Sequence, residues 1–372
     1  MLPNAELASA IKISSVTTEI YRWPRQKVLR NGLHTHSTVH LAVVKISTDL
    51  GIVGVSVTRP KPGDGEFREL FASKLIGKDP TMTSAIWAEL WSPKLYGRRG
   101  AETRALSSFD LALWDIKAKL AGMPLHKLLG GHSARIPTYI AGGYYEQGKD
   151  LKALQAEMAE YVEFGARAVK MKVGGATIND DISRVRAVRK TIGPDIRLMV
   201  DANCAYNAAD AMRFGRRLEE FDIFWFEEPV QPDDFEGMRK IAATISIPIA
   251  SGENEYTKFG FRDLAETQSV SVLQPDARYA GGVTEFMKIA ALAEAHGLQI
   301  APHGDQQVHL PLLAAIANPS MLEYYPARFD PMFGKIYRDT PVLNADGTVT
   351  VPDIVGLGCE PNEEALAPYR VS

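Results

Sequence analysis

From about residue 137 the chain settles into one repeating texture: a short apolar run, a polar strand end, then an amphipathic stretch. The apolar runs fall at 138–143, 166–174, 197–203, 223–229, 247–253, 271–277, 298–304 and 321–326. Helical stretches separate them at 149–163, 178–191, 207–220, 234–243, 259–267, 283–295 and 307–317. Such alternation calls for parallel strands joined by right-handed crossovers. Eight strands with seven helices between them predict an α/β fold, a (β/α)8-type barrel. A doubly wound sheet is the other arrangement open to the same units.

The first third has a different character. Residues 39–47 and 52–58 read as two strands around the turn Thr48-Asp49-Leu50-Gly51, a hairpin. Leu106, Phe109, Leu113, Ile116 and Leu120 mark a helix over 103–121, stopped by Gly122 and Pro124. Further helical stretches lie near 66–76 and 82–91. Beyond 335, VLNADGTVTVP predicts a hairpin built on Asp346-Gly347. We therefore expect an α+β capping domain over 1–135, a barrel over 136–330, and a tail over 331–372 that packs back on the cap.

Charge and cysteine content narrow the partners. Lys and Arg number 42 against 45 Asp and Glu, a formal charge of −3, so no basic excess points to nucleic acid or an anionic membrane. No apolar run approaches the length that spans a bilayer. The N-terminal MLPNAELASAIKI lacks the basic start and apolar stretch of a signal peptide. Cys204 and Cys359 cannot build a disulfide framework. Together these predict a cytoplasmic protein with reduced thiols.

Barrel active sites sit at the C-terminal strand ends. Here the second strand carries Lys170 and Lys172. The third ends in Asp201 and Asn203, the fourth in Glu227 and Glu228, and the fifth in Glu253 and Asn254. Asp276, His303 and Glu323 follow on the sixth, seventh and eighth. The intervals each span about one βα unit, so the groups should share one rim. Three converging carboxylates cannot all ionise without a cation. Asp201, Glu227 and Glu253 offer hard oxygens, which suit Mg2+ or Mn2+. The competing reading is that each acid caps the helix after its strand.

Lys170 and Lys172 share a face, and in a barrel it is the interior, because Val169, Met171 and Val173 point to the helices. Mutual repulsion and a nearby cation should lower their pKa values, so that one serves as a neutral base. His303 lies one strand from Asp276, whose carboxylate can hold one ring nitrogen and make the imidazole more basic.

With these motifs in place, nearly the whole chain resembles the enolase superfamily, and within it the mandelate racemase group. AVKMKV matches the group's Lys-x-Lys motif, and VDAN, FEEP and SGEN match its metal-ligand motifs. QPDA with the later PHG matches its Asp and His pair, and LEYY its eighth-strand glutamate. The resemblance implies a Mg2+-dependent barrel with an α+β cap, and removal of the proton next to a carboxylate through an enediolate. It implies Lys172 as base on one face, tuned by Lys170, and His303, oriented by Asp276, as acid/base on the other. Asp201, Glu227 and Glu253 become the metal ligands, and a protonated Glu323 a hydrogen-bond donor to the substrate carboxylate. Asn203 is a candidate contact to a substrate hydroxyl. A homo-oligomer, dimer or octamer, is also expected.

Specificity should lie in the cap. Residues 21–38 (YRWPRQKVLRNGLHTHST) resemble the group's mobile lid loop. Arg22, Arg25, Arg30, His34 and His36 make it polar, which suits a polyhydroxy acid or a diacid. Tyr144, Tyr145 and Arg278 are further candidate substrate contacts. The preferred reading is dehydration of an acid sugar, an aldonate or aldarate, to a 2-keto-3-deoxy acid. The alternative is a racemase or epimerase of a 2-hydroxy acid, and a more remote one a metal-binding relative without catalysis. A cycloisomerase is disfavoured, because such relatives usually carry a lysine in place of the His–Asp pair.

Overall fold

The structure is a computed structural model and describes residues 11–328 and 333–371. The N-terminal stretch read for a signal peptide lies mostly outside them, as do the ends of the expected domain boundaries at 330, 331 and 372. Three antiparallel strands, β1 (Ile13–Arg30), β2 (Thr35–Thr48) and β3 (Val53–Thr58), open the chain in the order β1-β2-β3. Helices α1 (Asp64–Leu75), α2 (Thr83–Leu90), the one-turn α3 (Pro93–Tyr96), α4 (Ala101–Leu120) and the short α5 (Leu125–Leu128) follow. Ile13, Val44, Ile46, Phe71, Phe109 and Ile116 form the cap's own core.

The barrel strands are β4 (Arg135–Gly142), β5 (Ala168–Lys172), β6 (Arg197–Asp201), β7 (Ile223–Glu227), β8 (Ile249–Ser251), β9 (Val272–Leu273), β10 (Gln299–Ile300) and β11 (Leu322–Tyr324). The helices between them are α6 (Leu151–Phe164), α7 (Ile178–Ile192), α8 (Ala208–Leu218), α9 (Phe235–Ala242), α10 (Thr257–Glu266), α11 (Gly282–Ala295) and α12 (Gln306–Leu313). All pairings along β10-β9-β8-β7-β6-β5-β4-β11 are parallel. The ring closes where Ile300 N–H donates to Asn318 O at 3.0 Å and Ser320 N–H to Ile300 O at 2.7 Å. That closure decides for the barrel over the doubly wound sheet. Among the described residues no helix is long and apolar enough to cross a membrane.

Period-two alternation sorts the strand residues into layers. Tyr139, Met199, Trp225, Ala250 and Val272 plug the barrel interior. Two residues further along three of those strands stand Ala141, Asp201 and Glu227. An apolar floor thus carries a polar rim. Val169, Met171 and Val173 pack outward against the helices, as expected.

Two features depart from the sequence reading. The stretch 21–38, expected as a mobile loop, is largely the strands β1 and β2 and the turn between them. Tyr21 pairs with Leu41 and Trp23 with Val39, the ladder breaks after Pro24, and it resumes at Leu29 with His36. Its charged residues mask an alternation that puts Tyr21, Trp23, Val39 and Leu41 on the buried face. The tail also reaches the barrel before the cap. β12 (Thr348–Thr350) pairs antiparallel with the start of β4, after a turn in which Gly347 takes φ 77°. Only then does the chain meet the cap, where Lys119 Nζ lies 2.6 Å from Glu360 and Tyr21 bridges Arg370. The one-turn helix α13 (Glu363–Leu366) places Glu363 2.6 Å from Lys45.

Candidate active site

Lys172, Asp201 and Glu227 are Cα partners across β5, β6 and β7, so the strand register sets them level on one rim. Glu253 stands just past the end of β8. One oxygen from each of Asp201, Glu227 and Glu253 lies within 4.8 Å of the others. None of the three caps a helix. The helices after these strands are α8, α9 and α10. The N-caps of α8 and α9 are Asn207 and Asp234, which accept from first-turn N–H groups themselves, and that of α10 is Tyr256, with no side-chain cap hydrogen bond. The capping alternative is therefore removed.

Electrostatics suit the cluster to a cation. Burial, then repulsion from Asp201, lifts Glu227 to about 7; burial, then Glu228, lifts Glu253 to about 8. Glu228 beside them also rises to about 7, from burial and Asp201. The buried Glu253 Oε2, Glu228 Oε2 and Asn203 Oδ1 make no hydrogen bond. Hard oxygens crowded in a low-dielectric site, some without donors, fit Mg2+ or Mn2+.

The lysines lie inside the barrel, as their alternation predicts. Lys170 Nζ stands 2.6 Å from Glu227, 2.9 Å from Glu323 and 3.6 Å from Asp201, while Lys172 Nζ is 2.5 Å from Asp201. The expected fall in their pKa is not what these contacts produce. Burial pulls both ammoniums down, but Glu227 and Glu323 for Lys170, and Asp201 for Lys172, more than reverse it and hold them high.

Glu323 also departs from expectation. Burial resists its charge, yet Lys170 holds it well below the usual carboxylate range. Its Oε2 accepts from Gly304 N–H at 2.6 Å. It is an ionised acceptor locked to a lysine, not a protonated donor.

On the opposite wall, His303 Nδ1 lies 3.1 Å from Asp276 Oδ2, and Nε2 lies 3.7 Å from Glu253. Burial alone lowers this imidazole; Glu253 and Asp276 overcome burial and raise it. Arg278 was expected to touch substrate. It lines the cavity, but Nε and Nη2 fork onto Asp276 at 2.9 and 2.6 Å. The buried His309 adds a 3.5 Å contact to Asp276 and accepts from Ala277 N–H at 3.0 Å. Sequence reasoning missed His309, and also Trp225 and Gln274, which donate to Glu227 at 2.9 and 2.7 Å. Period two from Glu227 points to Trp225 and from Asp276 to Gln274; nothing local points to His309.

Part of this set opens onto a cavity of about 480 Å3, roofed by the cap; of the three carboxylates Glu253 lines it, while Asp201 and Glu227 lie buried behind the lining. Lys172, Asn203, Glu253, His303, Tyr144, His34 and His36 all line it. Tyr144 places its ring 5.2 Å under Lys172 Nζ. Asn203 takes a φ of 43°, a strained turn that keeps it in the wall. Three expected residues do not arrive. Arg30 instead donates to Gly175 O at 3.2 Å and lies over the Tyr145 ring. Arg22 is exposed and outside the lining, because Tyr21 and Trp23 take the buried face of β1. The Tyr145 hydroxyl is turned away, donating to Asp181 at 2.5 Å. Lys61 and Arg59, just past β3, enter the cavity without any sequence signal.

Residues 153–365 match the family described as enolase C-terminal domain-like, and residues 13–130 match the mandelate racemase/muconate lactonizing enzyme N-terminal domain. The chain belongs to this family. Within the mandelate racemase/muconate lactonizing enzyme family, arabinonate dehydratase of Saccharolobus solfataricus is 34% identical, covering 80% of each chain. D-galactarolactone cycloisomerase of Agrobacterium fabrum is 35% identical, covering 88% of this chain and 91% of that one. The crystal structure of L-talarate/galactarate dehydratase from Salmonella typhimurium, liganded with Mg and L-lyxarohydroxamate, superposes with a TM-score of 0.90 at 30% identity, covering 100% and 96%. Family members named as cycloisomerases thus stand as near in identity as those named as dehydratases, so identity gives no support to setting cycloisomerases aside.

Proposed function

We propose that the protein is a Mg2+-dependent dehydratase of an acid sugar, forming a 2-keto-3-deoxy acid. What supports this reading is one juxtaposition: Lys172 and the Asp276-held His303 line the same cavity, on either side of the Asp201–Glu227–Glu253 cluster. Asp201, Glu227 and Glu253 would hold Mg2+, which would supply positive charge to the substrate carboxylate as it becomes more negative. A ligand that takes over Asp201 releases Lys172 from its tightest partner, and the lysine then loses the contact that holds its pKa high.

Either Lys172 Nζ or His303 Nε2 removes the α-proton, depending on which face of the carbon carries it. The C3–O bond then breaks as His303, in its imidazolium form, protonates the departing hydroxyl, which leaves as water. The resulting enol tautomerises to the 2-keto-3-deoxy acid. Asp276, kept ionised by Arg278 and His303, fixes the His303 ring. Glu323 orients Lys170 and the Gly304 backbone.

A second reading, proton transfer without loss of water in an epimerase or cycloisomerase, is favoured by the two-sided placement of the bases and by the cycloisomerase relatives. A screen of sugar mono- and diacids with Mg2+, read by semicarbazone absorbance of the 2-keto acid, tests the proposal. Conversion of at least one acid to a 2-keto acid is the expected result. Deuterium exchange at the α-carbon without any keto acid would instead establish the second reading.

A further inference from the structure

The charge on the cavity's two walls is unlike. Every charged or titratable residue the cap contributes is a cation or a histidine: Arg25, His34, His36, His40, Arg59 and Lys61. The acids of the lining, Glu228 and Glu253, come from the barrel. A substrate carboxylate at the Asp201–Glu227–Glu253 end is therefore faced, across the cavity, by a wall with positive charge and no acid of its own. Lys61 is the clearest member. Its Nζ stands 4.8 Å from the centre of the Tyr279 ring and makes no ion pair among the described residues. Among the described residues its one hydrogen bond to a carboxylate runs through its backbone, Lys61 N–H to Asp64 at 2.8 Å, while Asp276 and Glu253 act on its ammonium from beyond ion-pair distance. His36 leaves this wall's charge to the lysine and arginines, since burial, then Arg25 and Lys172, depress it to about 4 and keep its ring neutral at pH 7.

Resting on the function proposed above, we propose that Lys61, with Arg25 and Arg59 beside it, forms a subsite for a second carboxylate at the far end of the substrate. The protein is thereby selective for polyhydroxy dicarboxylates over monocarboxylates of the same length. A monocarboxylate presents a neutral hydroxyl to this wall and leaves the ammonium without a counter-charge. Neutral hydrogen-bonding groups would have served an aldonate without that cost.

The test is binding, measured by calorimetry with Mg2+ present and with Lys172→Ala and His303→Asn in every protein titrated, so that bound acid is not turned over; keto acid and α-proton exchange are read separately with both bases intact. Galactarate, glucarate and mannarate are compared with galactonate, gluconate and mannonate, with Lys61 intact, with Lys61→Met and with Lys61→Arg. A charge-assisted contact predicts that the preferred diacid binds roughly tenfold or more tighter than its monoacid partner. Lys61→Met should erase that preference and leave monoacid affinity unchanged, while Lys61→Arg should keep it. Equal affinities with Lys61 intact overturn the subsite, as does a Lys61→Met variant that weakens both classes alike. Failure of all three diacids to bind, while another acid of the semicarbazone screen is turned over, overturns the subsite and leaves the dehydratase reading standing. A diacid preference that tracks Lys61, without keto acid or α-proton exchange from the bound diacid, leaves the subsite standing and overturns only the dehydratase reading.

Discussion

His303 and Asp276 lie 27 residues apart in the chain and meet at 3.1 Å across the barrel mouth, with the His303 Nε2 left facing Glu253. Lys172 faces the same cavity from β5. Dehydration needs a base for the α-proton and an acid for the hydroxyl, whereas exchange at the α-carbon needs only a base. His303→Asn is therefore expected to abolish keto acid formation and to retain deuterium exchange for substrates whose proton faces Lys172. Lys172→Ala should retain exchange only where His303 is the base. Acid–base groups contribute about 10²–10⁴-fold in rate, so each loss is readable by proton NMR and semicarbazone assay. Near-normal kcat for dehydration in His303→Asn would overturn the role of the histidine.

Glu227→Gln removes one anionic oxygen from the cluster while keeping the side chain's size. Magnesium affinity should fall by at least about tenfold, since even residues behind the ligands contribute that much. The metal-free protein should still fold, because the apolar core is unchanged, but with a lower melting temperature, because the substitution takes a counter-charge from the buried Lys170. Calorimetry and thermal unfolding read the two effects separately. Unchanged Mg2+ affinity would refute the ligand assignment.

Lys170 is the counter-charge for Glu227 and Glu323 and is almost fully enclosed. Lys170→Met leaves those carboxylates buried without it. Breaking a buried pair from one side costs about 3–5 kcal/mol, and urea unfolding should show a loss of that size. Added Mg2+ should recover part of it through binding to the folded state. A wild-type midpoint in the variant would show that the carboxylates do not depend on the lysine.

Asp110 on α4 accepts from the Thr284 backbone N–H and hydroxyl on α11, at 2.9 and 2.6 Å, and so ties the cap to the barrel. Burial lifts its carboxyl to about 7, against the pull of those hydrogen bonds and with help from Glu285. A carboxyl that binds its proton more tightly folded than unfolded withdraws stability as the pH rises through its unfolded and then its folded pKa. Wild type should accordingly gain stability relative to Asp110→Asn as the pH falls from about 7 to about 5. Urea unfolding across that range checks it, and a pH-independent difference would contradict it.

His34 and His36 line the cavity from the turn and start of β2, outside the packed apolar cores. Replacing both with Ala should raise KM or shift substrate preference, while stability changes by no more than about 0.5 kcal/mol. Kinetics equal to wild type on every accepted acid would make them spectators.

Much of the barrel was legible because its signal is local. Parallel strands buried on both sides read as short apolar runs, and the even spacing of Asp201, Glu227, Glu253, Asp276 and His303 placed them on one rim before any coordinates. The lysines were legible for the same reason: alternation in AVKMKV fixes which face they take. The cap was not. The polar run 21–38 hides a strand alternation, and nothing local says that β1 and β2 carry on past Trp23, or that Arg22 turns outward.

The sequence by itself therefore determined the repeating βα unit, the order of the strand-end groups and the side of the sheet each occupies, since these follow from backbone periodicity and chain connectivity. Only the tertiary structure decided their charge states and their neighbours. Glu323 is ionised because Lys170, 153 residues away, stands at 2.9 Å, and Arg278 serves Asp276 because its fork closes there first. Lys61 faces the cavity because the cap folds over the barrel mouth. Electrostatic and packing energies depend on distance in space, which the linear order of residues does not contain.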